Sequence, residues 1–219
     1  MIRIVIVDDH DLMREGIRAL LEKDPLFEIV GETGDGQDAI RLVTQLRPDI
    51  VLMDVHLPGG IGGLEATEAI VKDCPEVKVV ILTQYENREY IRRALRVGAR
   101  GYLLKRSVAA QLKEAIKTVH AGERYLHPAA AGELMDLVTS GRSIEDDEDD
   151  YDRLTSREKQ VFKLLAEGKT SRDIAKYLTI SLKTAMTHRA NLMEKLNMHS
   201  RSELIRYAIR KAILPMEEG

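Results

Sequence analysis

The first 120 residues alternate between two patterns. Short, wholly apolar runs are each followed by a stretch whose apolar residues recur every three or four positions. Ile4-Val5-Ile6-Val7 leaves no polar position, as in a strand buried on both faces. Asp11 is expected to cap the next helix, whose apolar side carries Leu12, Met13, Ile17, Leu20 and Leu21. The alternation continues with a short strand around Ile29 in "FEIVGE", a helix from Gly36 to Leu46 and a strand in "PDIVLMD" ending at Asp54. A helix from Leu64 to Val71, a strand in "VKVVILT" ending at Thr83 and a helix from Tyr90 to Val97 stopped by Gly98 come next. The last strand, in "GYLLK", ends at Lys105, and Ser107 is expected to cap a helix through Leu112, Ile116 and Val119. Five such units predict an α/β fold, a parallel sheet covered by helices on both faces with right-handed connections.

Beyond Arg153 the strand pattern disappears and four helices are predicted. "LTSREKQVFKLLAEG" opens with Thr155 as cap and Glu158 three residues on, as in a capping box. It turns Val161, Leu164 and Leu165 inward and stops at Gly168. A short helix capped by Ser171, a longer one capped by Ser181 and a last one capped by Ser200 or Ser202 follow. A short helix, a tight turn and a longer helix make a helix-turn-helix.

Charge separates the two halves. Residues 153–219 carry 14 Lys+Arg and 7 Asp+Glu, a balance of +7, while the preceding 152 carry 19 and 29, a balance of −10. The basic half is the one expected to meet a polyanion. Between them, "TSGRSIEDDEDDYDR" is too acidic to bury itself and reads as an extended linker. The expected division is residues 1–124, a linker over 125–152, and a helical domain over 153–215. No apolar run reaches the ~20 residues of a membrane helix, and no leader precedes the first strand, so a cytoplasmic location and no membrane partner are expected. The single cysteine, Cys74, excludes an internal disulfide framework and reads as an ordinary residue near a helix end.

The strand ends carry the chemistry. Asp8 and Asp9 follow the first strand directly, and Asp54, Thr83 and Lys105 close three others. In an open parallel sheet these ends converge on the ligand-binding edge. Three carboxylates there suit a hard divalent cation such as Mg²⁺. A cation and Lys105 together would make Asp54 a nucleophile able to accept a phosphoryl group. Any one of these residues alone could be structural; their joint placement is what points to a site.

At these residues the sequence to about Ala121 resembles the receiver domain of a two-component response regulator, a flavodoxin-like (βα)5 fold. The resemblance implies that Asp54 is the phosphoacceptor. It also implies that Asp9, Asp54 and the backbone carbonyl of His56 bind Mg²⁺, with Asp8 acting through water. Thr83 and Lys105 would contact the phosphoryl group, and Tyr102 would be the aromatic switch. The stretch from Leu154 to about Ala212 resembles the LuxR/NarL/FixJ type of DNA-binding domain through "LTSRE", "LAEGKTSRDIA", the Lys183-Thr184 pair and "SRSEL". The resemblance implies a sensor histidine kinase as donor, double-stranded promoter DNA as target, homodimers on activation, and a regulator rather than an enzyme; RNA polymerase is a further candidate partner.

Helical geometry sorts the third helix of the C-terminal domain. At ~100° per residue Ala185, His188, Leu192 and Leu196 share the core side. Lys183, Met186, Thr187, Ala190 and Glu194 lie opposite, Thr184 and Asn191 sit at the edge, and Arg189 and Lys195 flank the core stripe. Met186 and Thr187 could meet thymine methyls, Asn191 adenine, Lys183 guanine or phosphate, and Arg189 and Lys195 phosphates.

Two features depart from the receiver pattern. "PGGIGGL" has one residue more than usual between Pro58 and Leu64, and its four glycines predict a mobile loop. Gln84 stands where a small residue usually follows the switch threonine. An aspartyl-phosphate phosphatase of the haloacid dehalogenase kind also uses a strand-end aspartate, but it expects a second Asp where His56 stands. A DNA-binding protein whose receiver is not phosphorylated but binds a ligand or partner is the other alternative.

Overall fold

The computed structural model describes residues 1–84, 88–106, 109–128, 150–151, 153–211 and 213–214, with the side chain of Arg88 excepted. The expected Ser107 cap, Ala212 and all of the acidic run but Asp150 lie outside these residues. The chain divides into two compact units, Met1–Ile144 and Glu145–Gly219.

In the first unit strands and helices alternate: β1 (Ile2–Val7), α1 (Asp11–Leu21), β2 (Phe27–Thr33), α2 (Gly36–Leu46), β3 (Ile50–Asp54), α3 (Gly63–Asp73), β4 (Lys78–Thr83), α4 (Arg88–Arg96), β5 (Gly101–Leu104) and α5 (Ala109–His120). A two-residue strand, β6 (Tyr125–Leu126), closes the series. All strands pair in parallel, in the order β2-β1-β3-β4-β5-β6. β6 is a strand the sequence does not reveal, because two residues show no periodicity. It lies where the linker is expected to begin.

The apolar runs are buried on both faces, as their composition requires. Ile4, Ile6, Ile50, Leu52, Val80 and Leu82 pack with Ile17 and Leu21 of α1 and Leu112, Ile116 and Val119 of α5. Residues between them in sequence, Val5, Val7, Val51 and Met53, point to the other side and are equally buried. Asp11 is the first residue of α1, not its cap; His10 holds that position without a side-chain hydrogen bond. The carboxylate of Asp11 is instead paired with Arg14 one turn further on.

The second unit contains α6 (Ser156–Ala166), α7 (Ser171–Tyr177), α8 (Leu182–Lys195) and α9 (Arg201–Arg210). Thr155 and Glu158 form the expected capping box on α6. On α7 the cap is Thr170 rather than Ser171, because Asp173 stands at the right spacing to close a box with Thr170. Ser200, not Ser202, caps α9. Val161, Phe162, Leu164, Ile174, Ala185, Leu192, Leu204 and Tyr207 build the core. Tyr151, Phe162 and Tyr207 stack edge to face, with ring centroids 5.4 and 6.0 Å apart.

α6, α7 and α8 each end in a Schellman motif. The amide of Lys169 reaches Leu164 O, that of Ile180 reaches Ala175 O and that of Met198 reaches Met193 O. The left-handed residue before each is Gly168, Thr179 and Asn197 respectively. Only the glycine announces itself in the sequence.

Candidate functional site

The sheet order changes direction at β1: the chain goes to β2 on one side and to β3 on the other. Ligands bind at the C-terminal strand ends beside such a switch point, and Asp8, Asp9 and Asp54 occupy it. Asp8 follows β1, with its amide on Thr33 O at 3.1 Å. Asp54 is the last residue of β3 and Thr83 the last of β4. Lys105 follows β5, and its amide donates to Thr83 O at 2.7 Å, fixing the two strand ends together.

Lys105 Nζ lies 2.7 Å from Asp54 Oδ2 and 2.7 Å from Asp8 Oδ2. Asp8, Asp54 and Thr83 are buried, whereas Asp9 is a third exposed. Asp54 Oδ1 accepts from the His56 amide at 3.4 Å, and Asp8 Oδ1 accepts from the His10 amide at 3.0 Å. Burial pushes the Asp54 carboxyl up to about 6, and the neighbouring Asp8 charge adds to this. Lys105 and the His56 amide pull the other way. Burial would lower the Lys105 ammonium, yet Asp54 and Asp8 together raise it. The pocket therefore sets three carboxylates against one ammonium.

That balance suits a divalent cation. Asp8 Oδ2 is buried, and the Lys105 ammonium 2.7 Å away balances it as an ion pair rather than through a well-formed hydrogen bond. Ligand atoms from Asp8, Asp9, His10 and Asp54 all lie within 4.8 Å of one another. The group is an acidic pocket consistent with a divalent metal site.

The structure also supplies contacts that the sequence does not single out. Arg14 Nη1 donates to the Asp8 carbonyl at 2.6 Å, bracing the acidic turn from α1. Tyr90 on α4 is buried, and its hydroxyl lies 2.6 Å from His56 Nε2. The two rings meet edge to face at 5.2 Å. Tyr102 is buried too; burial raises its phenol, and a side-chain hydrogen bond links it to Thr83. Gly63, in the glycine-rich stretch, opens α3 and donates its amide to Val55 O at 3.0 Å. A methyl group on Gly63 would overlap the Asp54 carbonyl. At this position the glycine allows close backbone approach rather than looseness.

In the second unit, α7 and α8 form the helix-turn-helix. Ala185, Leu192 and Leu196 are buried and His188 is half-buried, as the helical geometry predicts. Lys183, Thr184, Met186, Thr187, Arg189, Ala190 and Asn191 are exposed, with Met186 57% accessible despite its apolar chain. The Thr187 hydroxyl donates to Lys183 O at 3.0 Å, leaving its methyl as the apolar group. The Thr184 hydroxyl is shared with Ser181 at the helix start. Lys195 is exposed as well, and its ammonium pairs with Glu158 at 2.7 Å.

The fold and these two sites define a class: a phosphoacceptor-type receiver followed by a helix-turn-helix DNA-binding unit. Residues 4–117 match the family described as "Response regulator receiver domain", and residues 152–208 match "Bacterial regulatory proteins, luxR family". The chain is 37% identical to the oxygen regulatory protein NreC of Staphylococcus carnosus, over 97% of this chain and 99% of that one. It is 36% identical to the transcriptional regulatory protein LiaR of Bacillus subtilis, over 98% and 100%. Among solved structures, RcsB of Salmonella enterica serovar Typhimurium bound to the promoter P1flhDC with the phosphomimetic BeF3⁻ matches at 26% identity and a TM-score of 0.59, covering 95% of this chain and 98% of that one. A LuxR-family response regulator from Aurantimonas matches at 38% identity and a TM-score of 0.61, covering 64% and 99%. The chain belongs to the two-component response regulators with a LuxR-type DNA-binding domain, a family of transcription regulators rather than enzymes. Among the described residues no helix is long and apolar enough to cross a membrane.

Proposed function

We propose that this regulator accepts a phosphoryl group on Asp54 from a sensor histidine kinase and thereby controls promoter binding by α8. The observation that carries this reading is the buried Lys105 ammonium bridging Asp54 and Asp8 at 2.7 Å. A carboxylate oxygen of Asp54 attacks phosphorus, the phosphorus–nitrogen bond of the donor phosphohistidine breaks, and an acyl phosphate forms. Asp9, Asp54 and the His56 backbone carbonyl would hold Mg²⁺, with Asp8 acting through water. Once bound, the ion supplies positive charge to the phosphoryl oxygens. Lys105 then exchanges its contact with Asp54 for a phosphoryl oxygen, and the Thr83 hydroxyl donates to another. Tyr102 follows Thr83 through the hydrogen bond between them. Moving a two-state equilibrium from mostly off to mostly on takes roughly 5.5 kcal/mol. A few charge-assisted hydrogen bonds at ~1.5–3 kcal/mol each suffice.

On the DNA side, Lys183 and Arg189 would contact phosphates, with Lys183 also within reach of guanine, while Thr184, Met186, Thr187, Ala190 and Asn191 face the bases. RcsB, a relative, has been solved as dimers on DNA, and one module reads few base pairs, so this chain would bind as a homodimer. Ile205 and Ile209 on α9 remain half-exposed beside the buried Leu204 and Ala208 and would face the second copy. The cytoplasm, where kinase and promoter meet, is its place of action.

Acetyl phosphate with Mg²⁺ is expected to label the wild type once per chain and Asp54→Asn not at all. DNA affinity should rise on labelling in the wild type alone. Equal labelling of the variant would remove Asp54 from this role.

A further inference from the structure

His10 follows the two acids at the start of α1. Its Nδ1 lies 2.7 Å from Asp9 Oδ1 and 3.2 Å from Asp8 Oδ1. The ring is 63% exposed, so packing does not explain its place. Its backbone is fixed on both sides: the amide donates to Asp8 Oδ1, and the carbonyl accepts from the amides of Met13 and Arg14. Ligand atoms around one octahedral ion at ~2.1 Å stand about 3 Å apart when adjacent and about 4.2 Å when opposite. The separation from Asp9, the direct ligand of the two, is close to the adjacent spacing.

We propose that His10 Nδ1 is a direct ligand of the divalent ion in the Asp8–Asp9–Asp54 pocket and tilts the site toward first-row transition ions relative to Mg²⁺. The inference rests on the metal reading of that pocket and adds its selectivity. Mg²⁺ is a hard ion with a preference for oxygen and gains little from an imidazole. Ions from Mn²⁺ onward bind mixed oxygen and nitrogen sites with rising affinity. The same distances would also suit an Nδ1–H donating to Asp9, in which case the ring stays outside the ion's shell. Experiment separates the two arrangements.

The test uses the full chain loaded with Mn²⁺ and read by pulsed electron paramagnetic resonance, with affinities for Mn²⁺ and Mg²⁺ measured by competition. Expected are a ¹⁴N coupling from bound imidazole in the wild type, its loss in His10→Ala, and an Mn²⁺ affinity at least about tenfold weaker in that variant, the least that losing even an outer-shell partner commonly costs. Mg²⁺ affinity should change less than about twofold, since imidazole adds little to its oxygen shell. His10→Gln keeps a hydrogen-bond donor without the imidazole and should behave as His10→Ala. Recovery in His10→Gln, no ¹⁴N coupling in the wild type, or an unchanged Mn²⁺/Mg²⁺ ratio in His10→Ala would each overturn the assignment. Loss of Mn²⁺ binding in Asp54→Asn alongside any of these results leaves the carboxylate pocket standing without His10. No divalent binding by the wild type overturns both.

Discussion

Lys195 Nζ and Glu158 Oε2 meet at 2.7 Å, joining the last turn of α8 to the first turn of α6. The same carboxylate accepts from the Thr155 amide and hydroxyl, each at 2.9 Å. One buried side chain thus closes a capping box and anchors the C-terminal end of α8. Burial by itself would raise the Glu158 carboxyl, but hydrogen bonds from Lys195 and Thr155 outweigh it and hold the group below its ordinary value of 4.5. A depressed carboxyl contributes stability that is present above its unfolded value and is lost as pH falls through its folded one. The protection factors of the α6 and α8 amides, taken relative to intrinsic exchange at each pH, are therefore expected to fall on acidification below about pH 4.5. Glu158→Gln should flatten that dependence. Glu158→Ala should cost roughly 1–3 kcal/mol, the scale of a lost cap and a lost charge-assisted hydrogen bond.

The same contact separates two lysines that look alike in the sequence. Lys183→Ala should weaken DNA binding similarly on all sequences and reduce the salt slope of binding by about 1. Lys195→Ala should leave the slope unchanged and destabilise the second unit. Asn191→Ala should cost about 1–3 kcal/mol at one base position and relax the preference there. Equilibrium titrations at several salt concentrations, on promoter and scrambled duplexes, check all three.

Gly63→Ala should disturb the phosphoacceptor from behind. The added methyl meets the carbonyl carbon of Asp54 at 2.8 Å and Val55 Cα at 3.1 Å, both backbone atoms that cannot rotate away. Overpacking of this kind costs about 1–3 kcal/mol or more. Thermal unfolding should register that loss, and acetyl phosphate labelling should slow.

Thr179 occupies the left-handed region at φ 53° in the turn of the helix-turn-helix. Its β-branched side chain is disfavoured there, and the residue is exposed. Thr179→Gly is expected to stabilise the second unit by roughly 1 kcal/mol, the usual penalty for an L-residue in that conformation. Chemical denaturation read by hydrogen exchange in α7 and α8 would show it.

Much of this arrangement is legible from the chain itself. Asp8, Asp54, Thr83 and Lys105 each end an apolar run, and parallel sheets bring such ends together. The period of α8 puts Ala185 and Leu192 inside and Met186 outside before any coordinates are known. The caps were less legible. Thr170 and Ser171 are adjacent cap formers, and only the turn preceding α7 chooses between them. β6 escaped because two residues carry no period. The glycines of "PGGIGGL" suggested looseness, but the conformational freedom of a glycine does not say whether a turn or a neighbouring backbone calls for it.

The sequence by itself determined the two units, the five main strands, the residues at their ends and the buried stripe of α8. These follow from local periodicity and the fixed geometry of parallel sheets. Tertiary structure alone decided that Lys105 bridges two acids, that His10 turns its ring toward Asp9, that Tyr90 rests on His56, and that Lys195 pairs with Glu158. Each of these depends on side-chain direction across elements distant in the chain or across a sharp turn, and no repeat along the chain encodes direction in space.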